Sequence, residues 1–228
     1  MIAEKKWDSD FFNLKIGEVN FADCKHSLNF SDYDLLYVVS DEDFDLQIDD
    51  FSNTFSEQKV KFHKKLSEIF QTNENVFSHS EIEYNIQELY QLAFESGKHS
   101  RFLLDKNFGT EKFKELYRLW IDNSISKTFA DNVFLYKNNQ EIAGLLTYKT
   151  TDDNATVGLI AVSNKHQGKG IGGILLKHLE TILYQKGITS LTIPTQFENK
   201  QACNFYSKQG YSIFENTFIK HFWKYDTI

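Results

Sequence analysis

A chain of 228 residues that is 41% apolar and 15% aromatic can bury a sizeable core, and its 21 Phe and 11 Tyr argue against a disordered polypeptide. A net charge of −7 argues against general nucleic-acid or anionic-membrane binding, and Cys24 and Cys203, far apart in sequence, make neither a disulfide framework nor a metal cluster. The first residues lack the apolar core of a signal peptide and no run of about 18 apolar residues occurs, so the expected protein is cytoplasmic, without a membrane span and without a metal.

Residues 1–80 are expected to form a smaller α/β region. Gly17–Phe21, Asp34–Ser40 and Lys59–Lys65 read as strands, and the acidic stretch Asp41–Asp50 reads as a solvated loop or helix face. Nothing in this region reads as chemistry. From Ser80 the pattern sharpens. Ser80 and Glu83 have capping-box spacing ahead of a helix with Ile82, Ile86, Leu89, Tyr90 and Ala93 on one face. A polar loop, Gly97–Phe102, precedes a second helix over Thr110–Ser126 whose apolar stripe is Phe113, Leu116, Tyr117, Trp120 and Ile121.

The period then changes to two. Asn132–Lys137 and Glu141–Lys149 read as a hairpin, and Ala155–Val162 as a third strand. A helix with the stripe Ile171, Leu175, Leu179 and Leu183 follows, then a buried strand over Leu191–Thr195 and a short helix over Asn199–Gln209 closed by Gly210. Tyr211–Phe214 and Thr217–Lys224 read as two final strands.

The chemistry concentrates in Gln167-Gly168-Lys169-Gly170-Ile171-Gly172-Gly173, a glycine-rich turn between a strand and a helix. Backbone N–H groups and a helix dipole converge there, which suits a phosphate. The Walker A pattern Gly-x-x-x-x-Gly-Lys-Ser/Thr is absent, and a dinucleotide turn would follow a first strand rather than a late meander.

The spacing Gln167-x-x-Gly170-x-Gly172 resembles the acetyl-CoA signature of the GNAT superfamily of N-acetyltransferases. A second stretch, Asn199-x-x-Ala202-x-x-Phe205-Tyr206-x-Lys208-x-Gly210-Tyr211, resembles that family's other signature. Together they cover about residues 81–228, the expected acetyltransferase domain. The resemblance implies an α/β GNAT fold: a mixed central sheet with splayed fourth and fifth strands. It also implies roles. The N–H groups of Gly168–Gly173, with Gln167 and Lys169 in the same loop, would hold the CoA pyrophosphate. Ile160, Ala161 and Val162 would bond the pantetheine arm. Asn199 would hydrogen-bond the cofactor, Phe205 would pack along it, and Tyr206 would protonate the leaving thiolate. The general base is not assigned.

Scattered features resemble one branch, the bacterial dTDP-fucosamine acetyltransferases: Trp7-Asp8-x-x-Phe11-Phe12, Ser100-Arg101-Phe102, Leu119–Ser124 and Thr195-Gln196. They imply a nucleotide-linked amino sugar as acceptor, for surface polysaccharide such as lipopolysaccharide, with Arg101, Phe102 and Gln196 as substrate-binding residues. The expected partners are this small-molecule amine and a second copy of the chain as a homodimer. The alternatives are a protein or small-metabolite N-acetyltransferase, and a non-catalytic acyl-CoA sensor.

Overall fold

The structure is a computed structural model and describes residues 1–25 and 28–227. In chain order its elements are β1 (Ala3–Glu4), α1 (Lys6–Phe12), β2 (Ile16–Asn20), β3 (Leu35–Ser40), β4 (Phe51–Lys65), β5 (Val76–Ser78), α2 (Ile86–Ser96), α3 (Arg101–Leu104), α4 (Thr110–Ile125), β6 (Asn132–Asn138), β7 (Glu141–Thr151), β8 (Asn154–Val162), α5 (Ile171–Gln185), β9 (Ser190–Gln196), α6 (Lys200–Lys208) and β10 (Ser212–Lys224). The ten strands among the described residues join one mixed sheet in the order β1-β2-β3-β10-β4-β9-β8-β7-β6-β5.

The hydrophobic pattern dictates the layers. On one face, the stripe Ile171, Leu175, Leu179 and Leu183 of α5 packs with Tyr206 of α6 onto Val60 and Phe62 of β4 and Ile193 of β9. On the other, Leu89 and Leu92 of α2 and Phe113, Leu116 and Ile121 of α4 cover Leu145, Leu159 and Ala161. Strand β3 is apolar at successive positions because both its faces are covered: Leu35 and Tyr37 join one cluster, Leu36 and Val38 another.

The boundary expected near residue 80 is crossed by hydrogen bonding. Strand β4 lies between β9 and β10, antiparallel to both, with Lys59 opposite Gln196 and Thr217. Three local expectations are corrected. The capping box is formed by Ser78 and Glu81, with the Ser78 N–H donating to Glu81 Oε2 at 2.7 Å, and closes a single 3-10 turn. Helix α2 starts later, behind Asn85, whose side chain accepts the Gln87 N–H at 3.0 Å. Tyr211–Phe214 and Thr217–Lys224 are not two strands. Residues 212–224 form one strand with a register shift between Ile213 and Glu215, which leaves Phe214 unopposed and exposed.

Candidate active site

The site begins where β8 and β9 part. Their parallel pairing is confined to Asn154↔Ser190, Ala155↔Leu191 and Thr156↔Thr192. Opposite the point of departure, β7 shifts register between Leu146 and Tyr148, and the Thr147 hydroxyl accepts the Leu159 N–H at 2.9 Å. Such an irregularity bends a ladder locally. Strand β8 keeps its pairing with β7 up to Val162 while its other edge separates from β9. A cavity of about 1260 Å³ runs through the gap.

One half of the cavity is made of backbone and glycine. Ile160, Ala161 and Val162 line the β8 wall, and the turn contributes Gln167, Gly168, Gly170, Ile171, Gly172 and Gly173. Lys169 is exposed and lies outside the lining. Gly170 is the N-cap of α5 with φ +80°, and no side chain caps the helix. The first N–H groups of a helix have no partner inside it, so here they remain donors beside the dipole's positive end. Gly172 leaves room for a ring: a Cβ there would lie 3.1 Å from Phe205 Cζ. The Gln167 amide points back into its own loop, donating to Val162 O at 3.3 Å and Asn164 Oδ1 at 3.1 Å, so it braces the turn.

Helix α6 closes this half. Asn199 Oδ1 accepts the Ala202 N–H at 3.1 Å and caps the helix, which leaves its NH₂ as the donating group. Phe205 and Tyr206 follow on the cavity wall, ring centroids 5.3 Å apart, and Tyr206 packs 5.4 Å from Phe62 of β4. Tyr206 is 4% exposed. Burial, and then Cys203, push its hydroxyl above the ordinary tyrosine range, so it is a proton donor at neutral pH. Burial likewise pushes the Cys203 thiol up, which suits a helix residue rather than a nucleophile.

The other half is made of side chains from distant segments. Ser100 accepts the Phe102 N–H and caps α3, which aims Arg101 inward. The Arg101 guanidinium lies over the Tyr37 ring at 4.3 Å and the Phe102 ring at 4.9 Å, with Asp8 Oδ2 3.9 Å away. Phe102 in turn stacks on Phe12 at 5.5 Å. Gln196 ends β9 on the same wall, and His99 sits exposed at the rim.

Glu57 and Lys59 of this half carry no motif, and Asp8 joins them from the Trp7-Asp8-x-x-Phe11-Phe12 segment. Burial, then the Arg101 charge, hold the Lys59 ammonium below its usual range. Glu57 is buried, and that burial pushes its carboxyl up against the pull of Arg101 and Lys59. A sequence signal existed. In β4 the apolar Val60 and Phe62 alternate with Glu57, Lys59 and Lys61, which places charge on the face opposite the core.

The acetyltransferase (GNAT) family model matches residues 84–211, more than half of the chain. The protein belongs to the GNAT family. Among curated proteins it is 27% identical over 133 residues to the spore coat polysaccharide biosynthesis protein SpsD of Bacillus subtilis, covering 58% of this chain and 46% of that one. It is 30% identical over 92 residues to the ribosomal protein bS18-alanine N-acetyltransferase of Escherichia coli, covering 38% of this chain and 62% of that one. The chain thus spans about half the length of the first relative and under two thirds of the second. A GNAT-family putative acetyltransferase from Novosphingobium aromaticivorans shares the fold, with a TM-score of 0.56 at 10% identity over 84% of this chain and 74% of the other. The GNAT match carries the expected mixed sheet and its parted strands, here β8 and β9. Among the described residues, no helix is long and apolar enough to cross a membrane.

Proposed function

We propose that this GNAT enzyme moves acetyl from acetyl-CoA to the primary amine of a nucleotide-linked amino sugar destined for a surface polysaccharide. The observation that carries this reading is the continuity of one cavity from the glycine turn to Arg101, Lys59 and Gln196. Its first half fits an acyl-CoA. The left-handed Gly170, the uncapped α5 N-terminus and the open space beside Gly168 and Gly170 make a cradle for a pyrophosphate. Acetyl-CoA supplies the activated thioester.

The chain's own residues do the rest. The freed edge of β8 at Ile160–Val162 offers backbone groups to the pantetheine arm and to the thioester oxygen. The Asn199 NH₂ donates to the cofactor and Phe205 packs along it. The Tyr206 hydroxyl gives its proton to the departing sulfur. In the second half, Arg101 and Lys59 repel each other across a partly buried space, and a diphosphate between them relieves that repulsion. Gln196 faces a sugar hydroxyl. The SpsD likeness and the branch-specific segments around Trp7, Ser100 and Thr195 point the same way.

Thiol release from acetyl-CoA tests the acceptor. dTDP-4-amino-4,6-dideoxygalactose should support turnover, while an alanine-terminated peptide and free amino acids should not. The likeness to the bS18-alanine enzyme favours a second reading, a protein N-terminal amine, and turnover with the peptide alone would establish it in place of the first.

A further inference from the structure

We propose that Glu57 binds the acceptor's primary ammonium and takes a proton from it, so that the chain's amino-terminal portion supplies a catalytic residue. The inference rests on the acetyltransferase reading of the cavity and extends it to a group no motif marks. Glu57 is 7% exposed, it lines the same cavity as Tyr206, and its Oε2 is buried without a hydrogen-bond partner. A buried carboxylate oxygen left unsatisfied is costly, and a ligand that donates to it recovers that cost. The donor must be a cation or a strong N–H. A primary ammonium is both, and it is the form of the acceptor that prevails at neutral pH.

Topology puts Glu57 at the right wall. Lys59 lies opposite Gln196, the last residue of β9, so Glu57 continues the β4 face one step beyond the end of that strand. Tyr206 approaches from the face covered by α5 and α6, where it rests on Phe62. Residues 57 and 62 differ by an odd number on one strand and project to opposite faces. An acceptor on the Glu57 face and Tyr206 on the other therefore meet the thioester in the gap from opposite sides, as attack and departure require.

The protons balance. The ammonium gives one proton to Glu57 Oε2, and the freed nitrogen pair forms the C–N bond to the thioester carbon. The C–S bond breaks and its electron pair leaves on sulfur, which takes the Tyr206 proton. The second nitrogen proton restores Tyr206, and Glu57 returns its own to solvent. The sum is one ammonium and one thioester converted to one amide, one thiol and one released proton.

The groups facing Glu57 set its titration: Arg101 from α3, Lys59 from its own strand, Glu198 and the hydrogen-bonding Gln196 around the end of β9, and Tyr117 from α4. Burial outweighs the two cations and raises the carboxyl, which brings it nearer the operating pH of a base.

Two measurements on the full chain test the proposal. In the thiol-release assay, with the amine giving the highest wild-type rate, Glu57→Gln should lower kcat about 100-fold or more at pH 7. Its acetyl-CoA Kd should stay within about twofold, and the deficit should shrink as rising pH deprotonates the amine itself. A wild-type rate and pH profile in the variant would overturn the proposal. Independently of turnover, carboxyl carbon NMR of glutamate-labelled protein, assigned by the resonance absent from Glu57→Gln, should show a group titrating above ordinary glutamate and shifting with methylammonium. A resonance that titrates like the bulk and ignores methylammonium would overturn it even where every amine fails, and amine failure alone would count against the transferase reading instead.

Discussion

The two halves of the cavity are built from different material. The half proposed for the cofactor uses backbone: a left-handed glycine, an uncapped helix end and a strand edge freed where the register shifts. The half proposed for the acceptor uses charged and aromatic side chains from α1, β4 and α3, brought together by a sheet that threads β4 between β9 and β10. A phosphate cradle needs fixed local geometry, so one short segment encodes it. Selecting an acceptor needs charge at chosen points, and any strand that reaches the wall can supply it.

The largest expected effect lies where the halves meet. Tyr206→Phe should lower kcat about 100- to 1000-fold while acetyl-CoA binding changes little, because the ring and its packing on Phe62 remain. Steady-state kinetics beside calorimetric binding checks this, and an unchanged kcat would remove the tyrosine from the chemistry.

Next comes the support of the acceptor half. Asp105 is buried and accepts hydrogen bonds from His221 Nδ1 at 2.6 Å and Trp223 Nε1 at 2.9 Å. Burial works to raise its carboxyl, but these two donors hold it below the ordinary aspartate value. Asp105→Asn should cost about 3 kcal/mol in denaturant unfolding. Burial pushes His221 down to about 4 against the Asp105 hydrogen bond. Above pH 6.5 the histidine is neutral folded and unfolded, and contributes no slope. Between pH 6.5 and 4 the unfolded chain takes up a proton that the folded one refuses, so stability falls by about 3 kcal/mol. Melts at pH 7 and 4.5 should show this loss in the wild type and a smaller one in His221→Asn.

Smaller effects separate the halves. Arg101→Ala should raise the acceptor KM about tenfold, as expected when a charge-assisted contact is lost. An unchanged KM would place the acceptor's anion elsewhere. At neutral pH Glu57→Gln should stabilise the fold by on the order of 1 kcal/mol while lowering activity, because it removes a buried charge. A carboxyl raised in the folded state is neutral in both states well below its ordinary value, so the gain should vanish in acid and appear as pH rises; thermal melts across that range check it.

This contrast also explains what was legible in the sequence. The hairpin Asn132–Lys149, the α5 stripe and the glycine turn are local patterns, and each appears close to where its spacing predicted. Only the second part of β4, Lys59–Lys65, was legible as a strand; the stretch from Phe51 that carries Glu57 was not, and the strand's place between β9 and β10 depends on pairing residues well over a hundred positions apart, such as Lys59 with Gln196. Glu57 and Lys59 were therefore visible as charges and invisible as a site, and Asp8 was visible only as part of the Trp7–Phe12 segment. Arg101 was found through its neighbours Ser100 and Phe102, yet its cradle of Tyr37 and Asp8 comes from the region that had offered no chemistry. The merged final strand failed for a local reason: Phe214 interrupts the alternation because it sits unpaired at the register shift.

The division of labour between the halves is most directly tested by acetyl-CoA calorimetry on Gly170→Val and Arg101→Ala side by side. A β-branched residue at φ +80° strains the turn with no steric neighbour involved, so Gly170→Val should weaken acetyl-CoA about tenfold or more, while Arg101→Ala should leave its Kd within about twofold. Equal losses in the two variants, or a loss confined to Arg101→Ala, would contradict a cofactor site built from the glycine turn and an acceptor site built apart from it.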